Sequence, residues 1–280
     1  SVFLFARVGL ELGHKTSFLA TVLYSLNGLP LWFSSMGFGP HTVAFALMPL
    51  ALGAVIVAIR HGDARAATFA GWVSAILLSS YFWGISGIFF VTVAPVVLVL
   101  VLARRPVSHG FRVALGIVFT GLVTGFPALF WFSKWALPQL MTITNDLNGL
   151  FGNAWGDLSF PGPQTAIGIR AYHMVHDLLG MDRLLGVGVW KFVEGLEGVA
   201  WVGFLTCAGL ALLRSDRNRL PILVLFLTFV GFGLWVWRGT GYQYGYFKTL
   251  SYGAFFAEVL LAAGLGVAWN SVSGRVHASH

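Results

Sequence analysis

Apolar residues in this chain come in long blocks separated by short polar breaks. Nine blocks can be traced, at approximately 1–12, 17–34, 41–59, 66–82, 85–103, 112–132, 196–213, 220–237 and 251–269. Their typical length, about 18–22 residues, is what a helix needs to cross the hydrocarbon core of a bilayer. They are continuously apolar rather than alternating, which argues against a β-barrel. The pattern predicts an all-α fold, a polytopic transmembrane helical bundle of about nine spans. The first block, VFLFARVGLEL after Ser1, reads as the end of a helix already under way, so a missing N-terminal part is expected.

Composition agrees with the pattern. Hydrophobic residues make up 57% of the chain and charged residues 10%. A soluble domain carries about a quarter charged residues. The net charge of +7 would suit a nucleic-acid partner in a soluble protein. Here the placement of the cations gives a simpler reason. Arg60 and Arg65 lie in one break, Arg104, Arg105 and Arg112 in another, Arg214, Arg217 and Arg219 in a third, and Arg275 follows the last block. Alternating the spans puts all of them on one side, which the positive-inside rule assigns to the cytoplasm. No nucleic-acid partner is expected; membrane lipids are. The expected location is an integral, multi-pass one in a bacterial cell membrane. The single cysteine, Cys207, rules out an internal disulfide.

The organisation expected is transmembrane helices over 1–132, an extracytoplasmic loop subdomain over 133–195, and transmembrane helices with a short cytoplasmic tail over 196–280. Most of the acids, Asp146, Asp157, Asp177, Asp182, Glu194 and Glu197, lie in or just after the loop. SFPGPQ, Ser159–Gln164, reads as a turn. Beyond it, Ile167, Ala171, Met174 and Leu178 have helical spacing, as in a helix lying on the membrane surface. A loop of this length is commonly functional.

The candidate chemistry gathers on the outer side. RGTGYQYGYFKTLSY, Arg238–Tyr252, separates the last two blocks. Tyr242, Tyr244, Tyr246 and Tyr252 sit where an aromatic belt is expected. Arg238 and Lys248 are exceptions to the cytoplasmic bias. A forked guanidinium and a compact ammonium at the membrane rim suit a phosphate, and also suit simple contact with lipid headgroups. Asp146 and Asp157 are the weak catalytic candidates, as a base or as carboxylates holding a divalent cation. No cofactor is assigned. In HMVHD, His173 and Asp177 stand one turn apart, yet no third ligand cluster accompanies them and no metal site is assigned. Two acids fall inside blocks, Glu11 and Glu258. For Glu258 the reading is an ion pair with Lys248 or the lining of a cavity. Gly121 and Gly125 have the spacing of a close helix contact. No glycine-rich phosphate loop or nucleophile elbow occurs, which leaves an ATP-driven machine unsupported.

Three stretches carry a family resemblance. FARVGLELGHKTSFLATVLYSLNG with GFGPHTVAFALMPLALG, then QTAIGIRAYHMVHDLLG, then GYFKTLSYGAFFAEVLLAAGLG resemble helices of the polytopic GT-C type membrane glycosyltransferases. The resemblance implies sugar transfer on the outer face from a lipid-phosphate-linked donor, with Arg238, Lys248, Tyr242, Tyr244 and Tyr246 near that donor. It also implies a catalytic acid in a first outer loop, upstream of Ser1, so no residue here inherits that role. A transporter or lipid flippase and a non-catalytic membrane scaffold subunit are the alternatives. The largely bare middles of the spans argue against the transporter.

Overall fold

A computed structural model describes residues 1–27, 39–80, 82–103, 106–131, 133–134, 202–213, 219–239 and 243–278. Among these residues every regular element is helical and no strand occurs. The elements are α1 (Val2–Leu4) with a π-helical turn at Phe5–Gly9, α2 (His14–Leu26), α3 (Gly39–His61), α4 (Ala64–Ser80), α5 (Phe82–Ala103), α6 (Val107–Trp131), α7 (Val202–Leu213), α8 (Arg219–Gly239) and α9 (Gln243–Ala278). The subdomain expected over 133–195 lies outside the described residues, apart from Ser133 and Lys134.

Among the described residues three helices are long and apolar enough to cross a membrane: Thr42–His61 in α3, Val107–Ala128 in α6 and Tyr252–Ser271 in α9. α4 has 17 residues, and the apolar stretches described in α5, α7 and α8 are shorter than a full crossing. The described residues are therefore all-helical in their regular elements, and the protein is membrane-associated. The full count of nine spans is taken up below as part of the proposed reading.

The outward faces support this class. On α6, Phe111, Leu115, Phe119, Leu122 and Phe126 are all exposed, Phe119 to 70%. Large apolar side chains at this density on one helix are at home in lipid and would be a large exposed patch in water. Lipid supplies no hydrophobic drive between helices, so close packing must hold them together. α4 and α6 meet side by side in the same direction through small residues. Gly71 touches the Ile117 carbonyl and Gly121, and Gly125 meets Ala75. The GLVTG pair thus makes the helix contact that its spacing suggests.

The core is built around α9. Phe5, Phe229, Phe255 and Phe256 form an aromatic group with ring centroids 5.1–6.4 Å apart. Gly264 lets the backbone of Cys207 on α7 approach, and Gly266 faces Thr16 of α2. α2 and α9 run antiparallel, with Thr16 beside Gly266 at one end and Asn27 beside Glu258 at the other.

The first block departs from a plain helix. After the π turn the chain reverses between Leu10 and Gly13, and Glu11 takes a left-handed φ of 55°. The turn is held by neighbours. Arg7 Nη1 donates to the Leu12 carbonyl at 2.9 Å. Arg60 Nη1, at the end of α3, donates to the Gly9 carbonyl at 2.7 Å and lies 3.8 Å from a Glu11 carboxylate oxygen. Gly62, with φ 70°, closes α3 as a left-handed C-cap.

Candidate functional site

Two polar features stand out against the apolar bundle. One is the mouth of the hairpin made by α8 and α9. The other is a buried pair within the bundle.

At the mouth, α8 runs to Gly239 and α9 starts at Gln243, leaving three residues between them. The patch read as a gap is therefore mostly helix. Tyr244, Tyr246, Lys248 and Tyr252 all belong to α9, while Tyr242 lies outside the described residues, as do Asp146 and Asp157. The physical reason is plain. Gln243, Lys248, Thr249 and Ser251 lower the local hydropathy, but backbone hydrogen bonding continues through polar turns. α9 has 36 residues, about 54 Å of helix. The hydrocarbon core is about 30 Å thick. Both ends of α9 therefore project, and Lys248 stands about 6 Å beyond Tyr252, the first residue of the apolar span.

Tyr252 itself corrects the belt reading. It is 1% exposed and packs on Phe45 of α3 with ring centroids 4.8 Å apart. It is a core residue because the helix starts nine residues earlier and carries it into the bundle. Tyr244, Lys248 and Tyr252 follow one another at one-turn spacing and share a register. Arg238 lies in the last turn of α8. It is nine residues, or two and a half turns, past Phe229, whose ring meets α9. Arg238 and Lys248 thus share an end of the hairpin.

The second feature is the contact between Asn27 and Glu258. Asn27 Nδ2 donates to Glu258 Oε1 at 2.8 Å across 231 residues of chain, and both residues are buried. The expected pairing of Glu258 with Lys248 is not what α9 allows. Ten residues of helix separate them by about 15 Å. Asn27 was not legible as a partner. The only sign of it is a lone carboxamide beside Leu26 in an apolar block. Tyr24 and Phe45 lie beside the pair's helices, with the Tyr24 hydroxyl donating to the Phe45 carbonyl at 3.4 Å. At the opposite end stands the Arg60–Glu11 pair.

Among the described residues no cluster of three or more His, Cys, Asp or Glu side chains could hold a metal ion. HMVHD lies outside them. Fold and site together define a helical, membrane-associated protein with a buried amide–carboxylate pair. No family model, no curated protein and no solved structure matches the chain.

Proposed function

We propose that the chain is of the kind of a multi-pass membrane glycosyltransferase of the GT-C type, with about nine spans, in a bacterial cell membrane. In this reading the α8–α9 mouth faces outward and receives a sugar carried on a lipid phosphate. The observation that carries it is Lys248. It lies four residues, about 6 Å along the helix, before the apolar span begins, in the second turn of α9.

The helix dipole does not account for that lysine, since a cation is unfavourable near a helix N-terminus. A phosphate there would meet both the ammonium and the positive pole of α9. Arg238, at the end of α8, is favoured by its own helix dipole and adds a second cation to the rim. Transfer breaks the bond between the anomeric carbon and the lipid-phosphate oxygen as the acceptor hydroxyl oxygen bonds to that carbon. The leaving phosphate gains one negative charge. Fixed cations that meet charge as it develops lower the barrier. Tyr242, Tyr244 and Tyr246 would flank the lipid and sugar. Asp146 and Asp157 are the candidates within this chain for the base that takes the acceptor proton.

The test uses the full-length protein in membrane vesicles, with radiolabelled hexoses on polyprenyl phosphate as donors. Lys248→Ala should reduce transfer about 100-fold, and Arg238→Ala should reduce it less. Unchanged transfer in Lys248→Ala overturns the reading. The buried Asn27–Glu258 pair favours one rival, a transporter or lipid flippase, because ionisable groups inside a bundle often line a transport path. That rival predicts no transfer at all, and solute or lipid movement that Glu258→Gln abolishes.

A further inference from the structure

We propose that the outward face of α4 and α6 is a docking surface for an anionic phospholipid, with Arg65 and Arg112 meeting its phosphate. The inference stands apart from the donor-phosphate reading, because it rests on other helices and other cations.

Three observations lead to it. First, the two arginines share a depth. α4 and α6 run in the same direction, with Gly71 against Ile117 and Gly121, and a β-carbon on Gly116 would lie 3.9 Å from that of Ala67. Arg65 is two residues before Ala67 and Arg112 four before Gly116, so they differ by about 3 Å along the helices. Second, each arginine heads an exposed apolar stripe. On α4, Phe69, Trp72 and Ile76 follow Arg65 at alternating steps of four and three residues. On α6, Leu115, Phe119, Leu122 and Phe126 follow Arg112 at alternating steps of three and four. Such spacing keeps side chains on one face of a helix. The stripes reach about 16 Å and 21 Å from their arginines, and one leaflet of the hydrocarbon core is about 15 Å deep. Third, the charge at this depth is unbalanced. Arg112 is exposed five residues inside the apolar span Val107–Ala128. Neither helix has an acid in its first turn, and neither arginine belongs to an ion pair among the described residues. Asp63, the acid just before α4, accepts the backbone N–H of Arg65 at 3.0 Å. Of the neighbouring cations, Arg60 is engaged by Glu11 and the Gly9 carbonyl, and Arg7 by the Leu12 carbonyl.

A guanidinium facing lipid is costly without a partner. Its long stem lets it reach up to the headgroup level, where a phosphodiester offers two oxygens to its fork. The acyl chains of the same molecule would cover the two stripes. A zwitterionic headgroup brings its own cation to the phosphate and competes with the arginines. An anionic headgroup brings none, so the surface selects by net charge. A free phosphate would leave the stripes uncovered. A second copy of this chain, docked through the same face about a two-fold axis along the membrane normal, would bring four arginines to one depth, and like charges repel.

The experiment uses the purified full-length protein in a neutral detergent. Dioleoyl phosphatidylglycerol, dioleoyl phosphatidylcholine and glycerol 3-phosphate are titrated at fixed ionic strength. Bound lipid and oligomeric state are read by native mass spectrometry. One cation beside an anionic lipid surface is worth about fivefold in binding. Phosphatidylglycerol should therefore bind about 25-fold more tightly than phosphatidylcholine, and glycerol 3-phosphate should not displace it. Arg65→Gln with Arg112→Gln should abolish the preference and leave phosphatidylcholine binding unchanged. Arg214→Gln with Arg275→Gln removes the same charge elsewhere and should keep the preference. Equal binding of the two lipids to the parent protein overturns the proposal. So does a preference that survives the Arg65 and Arg112 substitutions, or one lost equally in the charge-matched pair. Displacement by glycerol 3-phosphate would reduce the surface to an ion site, and dimers that phosphatidylglycerol leaves intact would give the face to a second copy; each contradicts the lipid. Should the double variant fail to fold, the parent comparison and the two single variants, each expected to lose about fivefold, still decide.

Discussion

At the residue scale the bundle turns on how few polar side chains it buries and how each is held. Glu258 is reached by the Asn27 amide at 2.8 Å. A hydrogen bond to a charged group contributes about 2 kcal/mol, and its loss leaves the partner buried without it. Asn27→Leu should therefore lower the unfolding free energy by about 2 kcal/mol, read as a drop in thermal midpoint in detergent. Asn27→Gln, which keeps an amide, should recover part of the loss. A leucine variant as stable as the parent would mean that the pair contributes nothing. Very little of this pair was legible. The sequence marks Glu258 as exceptional because it interrupts an apolar block, but local reach points to Lys248, and nothing near Glu258 in the chain names a partner from α2. Glu11 was similarly half legible. Its place at a block end was visible, while its φ of 55° was not, since glutamate is not a residue that favours that region. Tyr252 was misjudged for a different reason: its neighbours are polar, and only the true start of α9 puts it in the core.

At the element scale the clearest contact is that of α4 with α6. A β-carbon on Gly71 would lie 2.5 Å from the Ile117 carbonyl oxygen and 2.9 Å from the Gly121 nitrogen. Both are backbone atoms of the facing helix and cannot rotate away. Gly71→Ala should force the helices apart and destabilise the fold by about 2 kcal/mol. Gly116→Ala is the control, because its β-carbon would meet nothing nearer than the Ala67 β-carbon at 3.9 Å. It should change stability by less than about 0.5 kcal/mol. Equal effects of the two substitutions, measured by denaturant unfolding in detergent, would contradict the close approach. The GLVTG spacing announced a small-residue face on α6. It could not announce Gly71, because pairing between helices depends on their rotation and neighbours. Hydropathy located α3, α6 and α9 well because their apolar centres are unbroken. It set the start of α9 too late, since polar turns at a helix end are invisible to it.

At the scale of the whole molecule, the elements arrange their charges by end. Arg60, Glu11 and the exposed Arg65 lie at one end of the bundle, and Phe45, fifteen residues earlier than Arg60 on α3, packs near the other with Tyr252. Fifteen residues of helix are about 22 Å. The mouth with Lys248 and Arg238 lies beyond Tyr252, on the side away from Arg60. If arginine-rich breaks mark the cytoplasm, the mouth faces out, where a lipid-linked sugar would be presented. Sidedness is thus the claim on which the functional reading stands, and it is open to direct measurement. In the full-length protein with Cys207→Ala, Lys248→Cys and, separately, Arg65→Cys are exposed to a membrane-impermeant maleimide in intact cells and after lysis. The account predicts that Lys248→Cys is labelled in intact cells and Arg65→Cys only after lysis. Labelling of Lys248→Cys only after lysis, with Arg65→Cys reactive in intact cells, would turn the bundle over and contradict it.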